Sequence, residues 1–201
     1  MKPDLAPALI PREARERLLA LARRAIREYV LENRTPDLLP SRQPGERRGA
    51  FVTLHVGGRL RGCIGRLDSP DPSETLVAVC AVLAATRDPR FPPIHAHELN
   101  ALEIEISILA PPEIVPAGEV LNRLEIGVHG VAITLEGHRG LLLPQVAPEQ
   151  GWNALRLLEE TCRKAGLSSQ AWRDPAARIE LFTAEIFSEA EIPARPANAA
   201  S

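Results

Sequence analysis

The sequence predicts an α+β fold: a mainly antiparallel sheet built from hairpins, with flanking helices. Two hairpins carry the prediction. Residues 51–56 alternate cleanly and meet 60–65 across Gly57-Gly58, and residues 126–135 meet 140–146 across Glu136-Gly137-His138-Arg139. Helical periods lie outside these runs, and no alternating strand–helix–strand series appears.

Taken in order, residues 11–33 form the first helix. Pro11 suits its first turn, and Leu18, Leu21, Ala22, Ala25, Ile26 and Tyr29 recur at the helical period. Arginines and glutamates alternate on its other side, as on a solvated face. Residues 33–50 hold three prolines and two glycines and read as a long loop leading into the first hairpin, where it would wrap the surface or cover a site. Asp71-Pro72-Ser73-Glu74 is a helix start, and residues 76–85 are apolar all round, so this helix is expected to be buried with Cys80 as a core thiol. Pro92 and Pro93 fix the following loop. Residues 102–109 alternate as a strand with Leu102, Ile104, Ile106 and Ile108 inward. Residues 119–123 make a short helix or turn. A helix from about Pro148 to Gly166 carries Trp152, Leu155, Leu158 and Cys162 on one side. Residues 178–188 read as one closing strand with Phe182, Ala184 and Ile186 on one face, and residues 190–201 as a disordered tail.

Composition narrows the function. A net charge of −2 gives no electrostatic footprint for nucleic acid, and aromatics at 3% supply no base-stacking platform, so nucleic acid is not an expected partner. Three cysteines, far apart and without a Cys-x-x-Cys pair, point to a reducing compartment and against a disulfide framework or structural zinc. No signal pattern opens the chain and no apolar run reaches membrane length, so a cytoplasmic location is expected.

Candidate chemistry centres on Leu60-Arg61-Gly62-Cys63-Ile64-Gly65. With a two-residue loop and an unbroken register, Val56 faces Arg59, Leu54 faces Arg61 and Val52 faces Cys63. That count places Arg61 and Cys63 on one face and His55 on the other. A guanidinium near a thiol favours the thiolate. Glycines around Cys63 let a ligand or another backbone approach, and a buried thiol in a packed hairpin is the alternative. Arg90 is an anion-binding fork or a partner for Asp88. Glu103 and Glu105 share a strand face, either solvated or gathered around a cationic group. His95-Ala96-His97-Glu98 has ligand-like spacing but reads as exposed loop, so no metal site is expected. The catalytic candidates are Cys63, Glu105 and Glu103, with Arg61, Arg90 and Gln145 binding a small anionic substrate.

These blocks also carry a resemblance. The hexapeptide at 60–65, Asp88-Pro89-Arg90-Phe91-Pro92-Pro93, the 102–109 strand, Gly140-Leu141-Leu142-Leu143-Pro144-Gln145-Val146, and Lys164-Ala165-Gly166-Leu167 before Trp172 together resemble the AmmeMemoRadiSam system protein A family, the AMMECR-type domain. The resemblance covers roughly residues 13–189. It implies a single domain over 11–189 in two lobes with a cleft between them. It implies association with a Memo-type protein and a radical S-adenosylmethionine protein, either as an enzyme of one pathway or as a non-catalytic accessory module. No iron–sulfur cysteine motif is present, so the radical chemistry is not expected in this chain.

Overall fold

The computed structural model describes residues 10–34, 48–71 and 73–192, so most of the expected 33–50 loop and of the 190–201 tail lies outside the described residues. The chain forms two units. One runs to Ile108 and resumes at Glu185, and the other is Leu109–Ala184. Each unit has an antiparallel sheet of four strands, as an α+β fold requires.

In the first unit the sheet order is β2-β1-β3-β8, with β1 Ala50–Val56, β2 Arg59–Arg66, β3 Leu102–Leu109 and β8 Ala184–Ser188. Helices α1 (Arg12–Glu32) and α2 (Ser73–Thr86) cover one of its faces. The alternation dictates which face: Ala50, Val52 and Leu54 of β1 and Ile104, Ile106 and Ile108 of β3 join Leu19, Ala22 and Ile26 of α1 and Val77, Cys80 and Ala81 of α2 in one core. Helix α2 is buried on nearly every side, as its unbroken apolar run requires, although Val79 is exposed. The glutamates of the last strand and its end tie α1 down. Glu185 accepts the backbone N–H of Ile10 and pairs with Arg15. Glu189 accepts Arg23 Nε at 2.6 Å and the N–H of Ile104 at 3.0 Å.

In the second unit the order is β4-β7-β5-β6, with β4 Glu113–Val115, β5 Gly130–Leu135, β6 His138–Leu142 and β7 Arg178–Phe182. Short helices α3 (Val120–Arg123) and α4 (Val146–Gln150) and the longer α5 (Ala154–Lys164) complete it. Leu157, Leu158 and Cys162 of α5 pack with Trp172 on Val131, Ile133, Ile179 and Leu181 of the sheet.

Three expectations are corrected here. The second hairpin turns on two residues, not four, because Glu136 and Gly137 both adopt positive φ (51° and 81°) and its first strand begins only at Gly130. The helix expected from Pro148 is two helices: Gly151 at φ 65° ends α4, and Asn153 caps α5 by accepting the N–H of Arg156 at 2.9 Å. Leu155 is thereby left exposed, while Leu158 and Cys162 are buried as expected and Leu157 joins them. The closing strand of 178–188 breaks at Thr183 into β7 and β8, which belong to different sheets, and the parity changes so that Phe187, not Ile186, is buried in the core. Strand β4, too short to show a period, was not expected.

The α5 frame has a direct check. Leu158→Ala is expected to destabilise the protein by about 3 kcal/mol and Leu155→Ala by less than about 0.5 kcal/mol in urea unfolding.

Candidate functional site

The first hairpin turns at Gly57-Gly58, whose φ values of 58° and 73° suit a type I′ turn. Val56 faces Arg59 as expected. Between Leu54 and His55 the register then shifts: His55 faces Leu60, Leu54 faces Gly62, Thr53 faces Cys63 and Val52 faces Ile64. One extra residue in β2, Arg61, absorbs the shift as a β-bulge. The bulge reverses the expected parity. Cys63 falls on the face of Thr53 and His55, away from the helices, whereas Ile64 packs toward the core.

This face is a grid of side chains across three strands. One row is Cys63, Thr53 and Glu105, and the next along the strands is Leu60, His55 and Glu103. The Thr53 hydroxyl donates to Cys63 Sγ at 3.3 Å. Thr53 is almost fully buried, Cys63 and Glu105 are half-buried, and Glu103 is exposed. One row further, Ser107 faces Phe51 and is buried, its hydroxyl without a hydrogen-bond partner among the described residues. A buried hydroxyl of that kind is one that water or a ligand satisfies.

The open edge of β2 is closed by the loop after α2. Asp88, 4% exposed, accepts the N–H of Cys63 at 2.8 Å and the N–H of Arg90 at 3.1 Å. Its two oxygens also receive Arg90 Nε at 2.9 Å and Nη2 at 2.6 Å. This fork, with the two backbone donors, holds the Asp88 carboxyl down at about 2 against the opposing effect of its burial. Arg90 Nη2 also reaches the carbonyl of Cys63 at 3.5 Å, and the guanidinium lies 5.3 Å from the Phe91 ring centre. Asp88 holds Arg90 above the usual arginine range, and Cys63 acts in the same direction. About half of the Arg90 side chain remains exposed.

Arg61 lies elsewhere. Its Nε donates to Glu98 Oε1 at 2.8 Å, and its Nη2 to Glu98 Oε2 at 3.0 Å and to the carbonyl of Pro93 at 3.1 Å. Its Nη1 donates to the carbonyl of Pro92 at 2.6 Å. The guanidinium expected beside Cys63 is thus engaged in clamping the 92–98 loop, and the one that meets Cys63 is Arg90. Glu98 in turn accepts the N–H of His95, and Arg61 chiefly holds its carboxyl below the usual range. His95 and His97 stack at 5.7 Å. Gln145 belongs to the second unit, where it immediately precedes α4 with its carboxamide oxygen buried. Burial pushes the Cys80 thiol up to about 11 and raises that of Cys162.

Two residues of this constellation escaped the sequence reading. Thr53 was hidden by the bulge, for which the only signal was a glycine inside a strand, Gly62. Asp88 was read as a partner for Arg90 alone, since its bond to a backbone N–H 25 residues away has no sequence signature. A separate groove of about 850 Å³ runs along α1, lined by arginines and glutamates such as Arg17, Arg24 and Glu28, and none of the expected site residues lines it.

Residues 19–187 match the AMMECR1 family model. The chain belongs to the AMMECR1 family. A protein of Methanothermobacter thermautotrophicus is 42% identical over 190 residues, covering 90% of this chain and 97% of its own. The Thermococcus kodakarensis protein TK0174 is 43% identical over 195 residues, covering 90% and 92%. The crystal structure of the uncharacterized protein PH0010 from Pyrococcus horikoshii superposes with a TM-score of 0.81 at 38% identity, over 86% of this chain and 90% of that one. These AMMECR1 relatives extend over most of the chain. No described helix of this family member is long and apolar enough to cross a membrane.

Proposed function

We propose that this AMMECR1-family chain is a cytosolic thiol enzyme acting on a small anionic molecule, with Cys63 as the nucleophile. The observation that carries the reading is the hydrogen bond from the Thr53 hydroxyl to Cys63 Sγ, in a row that ends on Glu105. A hydroxyl rotates to donate or accept, so Thr53 passes the thiol proton toward Glu105 and then donates to the thiolate that remains. Arg90, half exposed and beside Cys63, holds the anionic group of the substrate. Glu105 fills the base role better than Glu103, which faces His55 instead.

A second reading takes the same face as a rigid recognition surface for a Memo-type protein and a radical S-adenosylmethionine protein. The Arg61 clamp on Glu98 and on two proline carbonyls favours it, because it freezes the loop beside the hairpin.

The test is the alkylation of each cysteine by iodoacetamide on native protein from pH 5 to 9, read by mass spectrometry. Cys63 is expected to react fastest, with its rate rising well below the free-thiol value of ~8.5. Cys80 and Cys162 are expected to stay silent, being buried and raised. Thr53→Val is expected to slow Cys63 about 10-fold by removing the hydroxyl that donates to sulfur. A Cys63 as inert as Cys80 would refute the nucleophile and leave the recognition surface.

A further inference from the structure

The bulge in β2 does more than turn Cys63 toward Thr53. It brings the imidazole of His55 onto the face of the nucleophile, one step along β1 from Thr53. Diagonal neighbours on one face of an antiparallel pair stand roughly 7–8 Å apart, which is too far for a direct bond between short side chains but the right span for a small molecule bound between them. His55 itself lies directly opposite Glu103 in β3, close enough for a carboxylate to fix an imidazole's orientation and tautomer. The charged and titratable groups on this face are therefore Cys63 from β2, His55 from β1, and Glu103 and Glu105 from β3, with Arg90 at the β2 edge.

We infer that His55, oriented by Glu103, is the proton donor to the leaving group in the Cys63 reaction, and that the substrate class is an anionic acyl compound. The inference rests on the proposed thiol chemistry and deepens it. The Cys63 thiolate forms a bond to the acyl carbon. The bond from that carbon to the leaving group breaks, and the leaving group departs with the electron pair and takes its proton from His55. Water then adds to the thioester and returns a proton to His55, and the electron pair of the carbon–sulfur bond goes back to Cys63. The balance is that of a hydrolysis, with no oxidant or reductant. The two carboxylate–partner rows divide the work: Glu105 and Thr53 serve the sulfur, and Glu103 and His55 serve the leaving group.

The experiment uses two probes that share an anionic acyl group, p-nitrophenyl hemisuccinate and phenyl hemisuccinate, with acylation of Cys63 followed by intact-mass spectrometry. Nitrophenolate leaves without a proton, whereas phenolate leaves poorly without one. In the wild-type chain both esters are expected to acylate Cys63. In His55→Gln the ratio of the phenyl rate to the nitrophenyl rate is expected to fall about 100-fold, the usual scale of general acid catalysis. Glu103→Gln is expected to lower the same ratio by a smaller factor. Equal slowing of both esters in His55→Gln, with the ratio unchanged, would overturn the assignment, as would no slowing at all. Wild-type acylation by neither ester, or by the nitrophenyl ester alone, would also overturn it. In each of these cases the iodoacetamide profile of Cys63 tells whether the thiol chemistry itself survives.

Discussion

Adding a single methyl group at Gly62 is expected to cost about 3 kcal/mol of stability or more, the upper range for overpacking a core. A Cβ built there falls 2.2 Å from the carbonyl oxygen of Ala84 and 3.1 Å from its carbonyl carbon. Both are backbone atoms of α2, so no rotamer change relieves the collision. The helix must withdraw as a unit, taking Val77, Cys80 and Ala81 away from the sheet. The same movement drags Asp88, which follows the end of α2, away from the N–H of Cys63. Gly62→Ala is therefore expected to lower the urea midpoint and to change the Cys63 alkylation rate together. Gly118→Ala, where the added carbon meets open space and φ is not positive, is the control and is expected to stay within about 0.5 kcal/mol.

Asp88→Asn is expected to destabilise the protein by about 2 kcal/mol at neutral pH, and Asp88→Ala by more, since alanine leaves the N–H groups of Cys63 and Arg90 without their acceptor. The figure follows from the pH linkage. The Asp88 carboxyl lies at about 2, against an ordinary value of 3.8, and each unit is worth about 1.4 kcal/mol. Because the folded value is the lower one, the unfolded chain binds the proton first. The stabilisation is present above about pH 4 and is lost as pH falls toward about 2. Denaturant unfolding across this range is expected to show the wild-type advantage over Asp88→Asn shrinking through that window. A difference that stays constant down to pH 2 would mean the carboxylate is not what holds the β2 edge.

The sequence made the fold legible wherever one period ran uninterrupted. Strand β3 was read to the residue, α1 to within one residue at each end, and the glycine turn of the first hairpin was placed correctly. What failed were breaks inside a run. Gly151 divided one helix into two, Thr183 divided one strand between two sheets, and the Arg61 bulge inverted the parity on which the site depended. Each is a single-residue event, and period counting averages over several. At the site, Cys63, Arg90 and Glu105 were named from chemistry and do share one region of the first unit, but the partners were misassigned. Arg61 is only two residues away in sequence yet engaged with Glu98, and Thr53 and Asp88 reach Cys63 through strand register and loop geometry, which no spacing rule encodes.

The break at Thr183 also bears on the order in which this chain folds. Strands β3 and β8 are neighbours in one sheet, yet the whole of the second unit intervenes between them in sequence. The N–H of Ala110 donates to the carbonyl of Thr183 at 2.9 Å, so the ends of that intervening segment are pinned together from within. An unstructured loop of roughly 70 residues would charge β8 about 4 kcal/mol of closure entropy before it gained a single contact with β3. A second unit that has already formed shrinks that loop to a short connection. Docking of β8, and with it Phe187 and the two glutamates that anchor α1, is thus expected as a late event that waits on a neighbour with a core of its own.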